Sequence, residues 1–598
     1  MDDQQKNLIL ATALSFLVIF VWFILFPPPA PGPTPADLPV AEDGTLTPPA
    51  PAPSDIVELQ PREDILEESA RVAIETPRLS GSVSLRGGRI DDLSLTDYRV
   101  SLAEDAEIVT LLSPSRTSDP YYAVHGWAPG AGGGLSADLV PGALTEWSAA
   151  PGAALSIGRP LELTWDNGAG LLFTKTIEVD ANYMFAVTQT VENRGDTAQR
   201  LYPYAILARK GEPELRRFFI LHEGLIRAVD GELSEEGYGA MRDFPVQARE
   251  GTPADTVSAV ETAWIGFTDH YWMTTLVAPS ATTVETVAKY VPQIDTYQTE
   301  LRYPAVEVAP GAEASQVSYV FAGAKEWEQI RAYQNQLGIG QFVDAIDWGW
   351  FAFLTKPIFI ALHYLNLWIG NMGWAILALT LVIKTILFPL AWKSYVSMAR
   401  MKELQPEMEK IKERVGDDRQ KLQQEMMQLY KDKKVNPAAG CLPILVQIPI
   451  FFSLYKVIFV TIELRHAPWF GWVTDLSAPD PSSFMNLFGL MPWGTPGPES
   501  LFAIFSIGVL PILMGFTMWI QMKLNPAPTD PTQAMVFAWM PWIFMFMLGT
   551  FASGLVLYWS ANNVITFAQQ YIIMRSQGVK PDIFGNILSS FRRKKPAE

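Results

Sequence analysis

The chain has 598 residues, too many for one core. Only 18% are charged, and 19 Trp and 32 Phe are present, a profile that combines a membrane part with a soluble part. The formal charge is −18, and the stretch from Pro27 to Ala345 carries 45 acidic against 22 basic residues, so the remainder is +5. An acidic block of that size argues against nucleic-acid binding, which needs clustered Lys and Arg. One cysteine, Cys441, excludes an intrachain disulfide. The five His are scattered, and neither HExxH, CxxC nor a GxxxxGK[ST] loop occurs, so neither metal chemistry nor nucleotide hydrolysis is expected.

Leu8 to Phe26 is an uncharged apolar run of 19 residues, just long enough to span a hydrocarbon core of ~30 Å. A cleaved signal peptide is the competing reading. The acidic flank Met1 to Lys6 and the following Pro27-Pro28-Pro29 favour an uncleaved anchor over residues 1–26. Pro27 to Pro61 is rich in Pro and Ala and reads as an extended linker, 27–65.

A folded domain is expected from about Leu66 to residue 340. Short alternating or β-branched segments such as Leu171 to Val179, punctuated by Gly-Gly, Asn-Gly and Pro-Gly, predict an all-β sandwich. Ala324 to Leu337 predicts a helix leading out of it. Residues 341–371, with Trp350 to Gly370 at their centre, read as an amphipathic helix at the membrane interface anchored by aromatics.

Five further spans are predicted: 372–392, 440–462, 501–522, 535–551 and 555–574. Between the second and third spans, 393–439 reads as an antiparallel helical hairpin. Its apolar residues Met398, Met401, Leu404, Met408, Ile411 and Val415 recur at helical spacing, break at Gly416 with Asp417 or Asp418 as N-cap, and resume at Leu422, Met426 and Leu429. This Met stripe reads as the seam between two helices, with a docking surface as the alternative. Loops 463–500 and 523–534 and a basic tail, 575–598, complete the chain.

The hairpin carries 11 Lys and Arg and the tail six, whereas Glu463 to Ser500 carries Arg465 alone. The positive-inside rule then puts hairpin, tail and both termini in the cytoplasm and the acidic β block outside.

Lys384 stands inside the second span, about 13 Å along a helix from Lys393. A Lys at mid-span costs ~2.5–3.5 kcal/mol on insertion scales. Snorkelling toward cytoplasmic headgroups is one resolution. The other is a wetted cavity, because the apolar stretches of the spans hold no Asp or Glu. Thr380, Thr385, Gln447, Ser560, Asn562, Asn563, Gln569 and Gln570 are its candidate lining. The amides of the last span are equally consistent with plain interhelical hydrogen bonding. Lys456, toward the outer end of the third span, is expected to snorkel outward.

Several pieces are more specific than composition. They are Leu404-Gln405-Pro406, Gln424 to Lys431, Lys434-Val435-Asn436-Pro437 followed by Gly440-Cys441-Leu442-Pro443, Gln447 to Phe451, and Ser553-Gly554-Leu555-Val556-Leu557-Tyr558-Trp559. In order and spacing they resemble the YidC/Oxa/Alb insertase family over essentially the whole chain. Leu85-Arg86-Gly87-Gly88 looks like part of the large periplasmic domain of the Gram-negative branch.

The resemblance implies a membrane protein insertase and folding chaperone that is not an enzyme and needs no cofactor. It implies a helical bundle of six spans, five of them lining a hydrophilic groove open to the cytoplasm, and a periplasmic β-supersandwich similar to sugar-binding folds. Lys384 occupies the position of the family's groove charge, commonly an arginine; the sign is kept and the bidentate fork is lost. Thr380, Ile448, Phe451, Met547, Tyr558 and Trp559 match substrate-contacting positions, with Trp559 where Tyr is usual, and Gln447, Ser560, Asn562 and Asn563 match the polar lining. Implied partners are nascent membrane proteins, the ribosome, the Sec translocon (SecYEG, SecDF), the signal recognition particle receptor and membrane lipids, in a bacterial inner membrane. Two rivals from other classes are a transporter, for which no inverted repeat is visible, and an anchored carbohydrate-active enzyme, for which the acids of the β block are abundant but unpatterned.

Overall fold

The computed structural model describes residues 59–130, 135–215, 221–416, 418–433, 435, 442–491, 493, 506–525 and 531–578. The expected first span, most of the linker and all but the start of the basic tail lie outside them.

Residues 71–324 build two antiparallel sheets. The larger has eleven strands among the described residues, with Tyr121–Pro129, Gln199–Lys210, Thr296–Arg302 and Val284–Val291 side by side at its centre. The other has nine, centred on Trp272–Val277, Glu313–Ala324, Met184–Asn193 and Leu171–Val179. The two-residue period of a strand explains the packing. In Leu171–Val179, Leu171, Phe173, Lys175, Ile177 and Val179 alternate as the buried face. Trp127, Trp264, Tyr183, Phe267 and Phe321 fill the space between the sheets.

Not all of the buried material is apolar. Glu250, Lys289, Glu300 and Arg302 form a closed ionic cluster, with Arg302 forked across both carboxylates and all four side chains at most 8% exposed. Two acids and two bases cancel, which is the condition for burying charge without a large penalty.

The domain begins earlier than the expected Leu66. Helix α1 (Arg62–Glu68) buries Ile65, Arg62 pairs with Asp92, and the Gln60 N–H donates to Arg116 O. After the short α2 (Tyr238–Arg242), the expected helix over Ala324–Leu337 resolves into strand to Ala324 and helix α3 (Trp327–Leu337), which stops at Gly338 in the left-handed region, φ 67°.

The C-terminal part is helical. The elements are α4 (Ala352–Ile369), α5 (Met372–Ile386), α6 (Phe388–Glu403), α7 (Gln405–Val415), α8 (Arg419–Asp432), α9 (Leu442–Val460), α10 (Val509–Met522), α11 (Pro531–Met547) and α12 (Ser553–Ser576). By length and composition α4 alone among the described helices suffices to cross a membrane, and α5 with α6 passes only as a pair bent by 67°. Leu445–Val460, Val509–Met522 and Met535–Thr550 are shorter apolar helices. The bend ends α5 before the expected Trp392. Pro389, at the start of α6, has no N–H to continue the ladder. α12 packs on α5, α6, α9 and α10 and forms the hub.

Helices α7 and α8 fold back on each other. Leu404, Met408 and Val435 are buried between them, packed by Met401, Met426, Leu429 and Tyr430. The Asp418 carboxylate accepts from the Lys421 N–H as the N-cap, and Lys433 pairs with Glu407 at 2.9 Å. Part of the Met stripe, Met401, Leu404, Met408, Met426 and Leu429, thus forms this seam, whereas Met398 packs with Tyr395 and Ile573.

Candidate functional site: a lysine among neutral acceptors

Lys384 lies in the last turn of α5, where a positive charge meets the negative end of the helix dipole. Its Nζ donates to Thr566 Oγ1 at 2.9 Å and to Gln447 Oε1 at 3.2 Å. The Gln447 amide in turn donates to the Tyr558 hydroxyl, and Gln569 Nε2 reaches the Lys384 carbonyl at 3.3 Å. Three helices, α5, α9 and α12, thus converge on one ammonium through neutral oxygens. Beside it is a cavity of about 20 Å³ lined by Lys384, Tyr395, Gln447 and Gln569, with room for about one water.

Above this point the lining turns aromatic. The Phe451 ring meets Trp559 edge-on at 4.6 Å, and Trp559 meets Phe544 at 5.5 Å. Ile448 and Met547 are about half exposed, at 45% and 48%. Thr380 and Tyr558 are buried, and Thr380 spends its hydroxyl on Ile376 O within its own helix.

The expected polar lining divides four ways. Gln447 and Gln569 surround Lys384. Ser560 and Thr385 bond back to Val556 O and Leu381 O, four residues earlier. Asn563 and Gln570 face α10 and its C-terminal end, donating to Thr517 Oγ1 at 3.3 Å and Asn525 Oδ1 at 3.1 Å. Asn562 Oδ1 is buried and finds no hydrogen-bond donor among the described residues.

Thr566 was not among the expected lining residues. It falls between Asn563 and Gln569 on a polar stripe at helical spacing along α12, which would have identified it.

Lys456 differs from expectation. It does not snorkel outward; its Nζ meets Asp347 Oδ2 at 2.6 Å, with 8% of the side chain exposed. Asp347 lies in the connector leaving the β domain and also accepts from the His222 N–H. The pair belongs to a joint between the β domain and the helices. His270 Nε2 lies 2.6 Å from Phe459 O. Arg465 donates to Arg99 O and covers the rings of Tyr271 and Trp272. His363 stands between Glu463 and Glu328, at 2.9 and 3.0 Å.

Two family models match the chain: the 60Kd inner membrane protein over residues 364–580 and the YidC periplasmic domain over residues 71–361. The membrane protein insertase YidC of Roseobacter denitrificans is 61% identical, covering 99% of each chain. That of Dinoroseobacter shibae is 60% identical over the full length of both. A crystal structure titled as an active YidC insertase with its first transmembrane domain resolved aligns with 84% of this chain and 92% of its own, at 17% identity and a TM-score of 0.34. On identity and coverage of that extent, the chain belongs to the YidC membrane protein insertase family.

Proposed function

We propose that the chain receives nascent membrane proteins at the cytoplasmic face of the bacterial inner membrane and releases their spans into lipid. In this reading six spans cross the membrane, at 8–26, 372–392, 442–462, 501–522, 535–551 and 555–574. The β domain is periplasmic and the 393–439 hairpin cytoplasmic.

The observation that carries the reading is the chemistry around Lys384. The ammonium is held by Gln447 and Thr566, two neutral acceptors, and no carboxylate pairs with it among the described residues. A full positive charge in a low-dielectric bundle attracts an acidic segment much more strongly than the same charge in water.

Insertion then proceeds in three physical steps. The hairpin and basic tail hold the client beside the ribosome. The polar, often acidic, outer segment of the client enters beside Lys384, which shortens the distance over which it must be dehydrated. The client's apolar span moves past Phe451, Trp559 and the exposed Ile448 and Met547 into lipid, driven by hydrophobic burial. None of these steps needs a covalent intermediate or a nucleotide. The Sec translocon and the signal recognition particle receptor are the partners expected for larger clients.

The test is photocrosslinking. A crosslinker at Phe451 or Trp559 should capture a stalled nascent chain, and one on the exposed outer face of the β domain should not. Equal capture at both positions contradicts the reading.

A further inference from the structure

The segment after α9, residues 463–493, has an inverted polarity. Glu463 pairs with His363, and the other two carboxylates, Asp475 and Asp480, are spent chiefly on nearby backbone N–H groups. Asp475 Oδ1 accepts from the N–H groups of His466 and Ser477, at 3.1 and 2.8 Å. Asp480 accepts from Ser482 N, Trp472 Nε1 and Leu510 N, at 2.9, 3.0 and 2.8 Å. Ser482 Oγ accepts from Val509 N, and Ser483 is buried. Leu464, Val473 and Leu476 anchor the segment in the core, but a second set of apolar side chains faces outward: Leu490 is 84% exposed, Trp493 54% and Phe470 51%, with Phe484, Leu487 and Phe488 close behind. Residues 481–493 contain no charged residue.

The backbone is bent to achieve this. Leu487 and Phe488 sit consecutively in the left-handed region, at φ 47° and 57°, a conformation bulky side chains rarely adopt. The turn projects both side chains outward. Phe488 N–H donates to Ser483 O at 2.7 Å, and Trp493 Nε1 to Met485 O at 2.9 Å, so these donors need no water.

The loop is also fixed to the outer ends of the helices. Its Leu476 and Ala478 carbonyls accept from Gly554 and Ser553 at the start of α12, at 2.9 and 2.7 Å. Asn371, the cap of α5, donates to Trp469 O at 3.0 Å, and a Cβ on Gly373 would lie 2.3 Å from the Trp469 ring, so that position is kept to glycine. Trp374 stacks on Phe470, continuing the aromatic edge from the loop onto α5.

An aqueous loop exposes charge; from Phe484 to Trp493 the exposed side chains among the described residues are all apolar. Polar groups that find protein partners and an uncharged aromatic rim are what lipid selects. A protein interface would be expected to carry a polar rim. We infer that residues 470–493 are immersed in the outer leaflet of the bilayer, so that the loop sealing the outer ends of α5 and α12 lies within the lipid rather than above it. The inference rests on the membrane reading given above.

The test uses the full chain with Cys441→Ser, reconstituted in vesicles of phosphatidylethanolamine and phosphatidylglycerol. A nitroxide is attached at Leu490→Cys or, separately, Phe488→Cys. The comparators are Leu513→Cys on the exposed face of α10 and Glu232→Cys on the β domain. Collisions with oxygen report lipid, and collisions with a neutral nickel chelate report water. The labels at 490 and 488 should follow 513, several-fold richer in oxygen than in nickel collisions, and 232 should show the reverse. Labels at 490 and 488 that follow 232 while 513 stays lipid-like overturn the inference alone. Shielding of 490 and 488 from both reagents means that protein covers the patch, and also overturns it. Nickel access at 513 removes the membrane reading itself, and the inference falls with it.

Discussion

The placement of Lys384 makes a prediction that separates a held charge from a snorkelling one. Its ammonium has three N–H donors, and the structure supplies two side-chain acceptors, Thr566 Oγ1 and Gln447 Oε1. Thr566→Val removes one with little change of shape, and Gln447→Leu removes the other while also releasing Tyr558. A hydrogen bond to a charged group contributes about 1.5–3 kcal/mol. Either single change should therefore destabilise the bundle by about that amount. The double change should exceed the sum, because the ammonium keeps only what one water in the adjoining 20 Å³ cavity can offer. The assay is thermal unfolding in detergent, followed by the helical far-ultraviolet signal, over the complete mutant cycle. A double variant that melts with the parent protein refutes the reasoning: the side chain would then be reaching headgroup water with no need of either acceptor.

Three other expectations follow from the same structure. Asp347→Ala removes the carboxylate paired with Lys456, and loss of one member of a buried pair costs about 3–5 kcal/mol. Adding Lys456→Met should recover most of the loss, read as thermal stability and as protease resistance of the 341–350 connector; no recovery would mean that the pair does not form. In the β domain, burial alone would raise the Glu250 carboxyl, but Arg302 and then Lys289 outweigh it and hold it down at about 2, from 4.5. A depressed carboxyl contributes its stability above the unfolded value and loses it as pH falls, so about 3 kcal/mol should disappear between pH 4.5 and 2. Glu250→Gln should flatten that acid limb of β-sheet melting. In the hairpin, Leu404→Ala or Met408→Ala opens the seam at a cost of about 2–5 kcal/mol. Hydrogen exchange should accelerate across 405–432 and leave α5 and α12 unchanged.

Periodicity carried the information it physically can. Alternation in Leu171–Val179 specified a half-buried strand, and the break at Gly416 marked the end of α7, but the Met398–Val415 spacing ran across a second break at Leu404, where α6 gives way to α7. Lys384 was legible because a charge in an apolar run is costly wherever the chain goes. What escaped depended on distant partners. Lys456 appeared free because Asp347, its counter-charge, lies in a connector over a hundred residues earlier, and no local pattern records that return. Thr566, by contrast with the back-bonded Thr380 and Thr385, turns its hydroxyl to Lys384 of another helix, a partnership that no local pattern records. The early end of α5 was marked by Pro389 but masked by the apolar residues that continue to Trp392.

In the proposed mechanism the charge at 384 attracts the acidic outer segment of a client. At ~6 Å and an effective dielectric constant of ~20, a unit pair is attracted by about 3 kcal/mol, and reversing one sign makes that a comparable repulsion. The direct measurement is insertion of a small client with an acidic outer tail into vesicles carrying the parent protein or Lys384→Arg, Lys384→Ala or Lys384→Glu. Arg should retain insertion, Ala should slow it and Glu should abolish it, the loss being relieved when the tail is made neutral. Normal insertion of the acidic client by the Glu variant would contradict this mechanism.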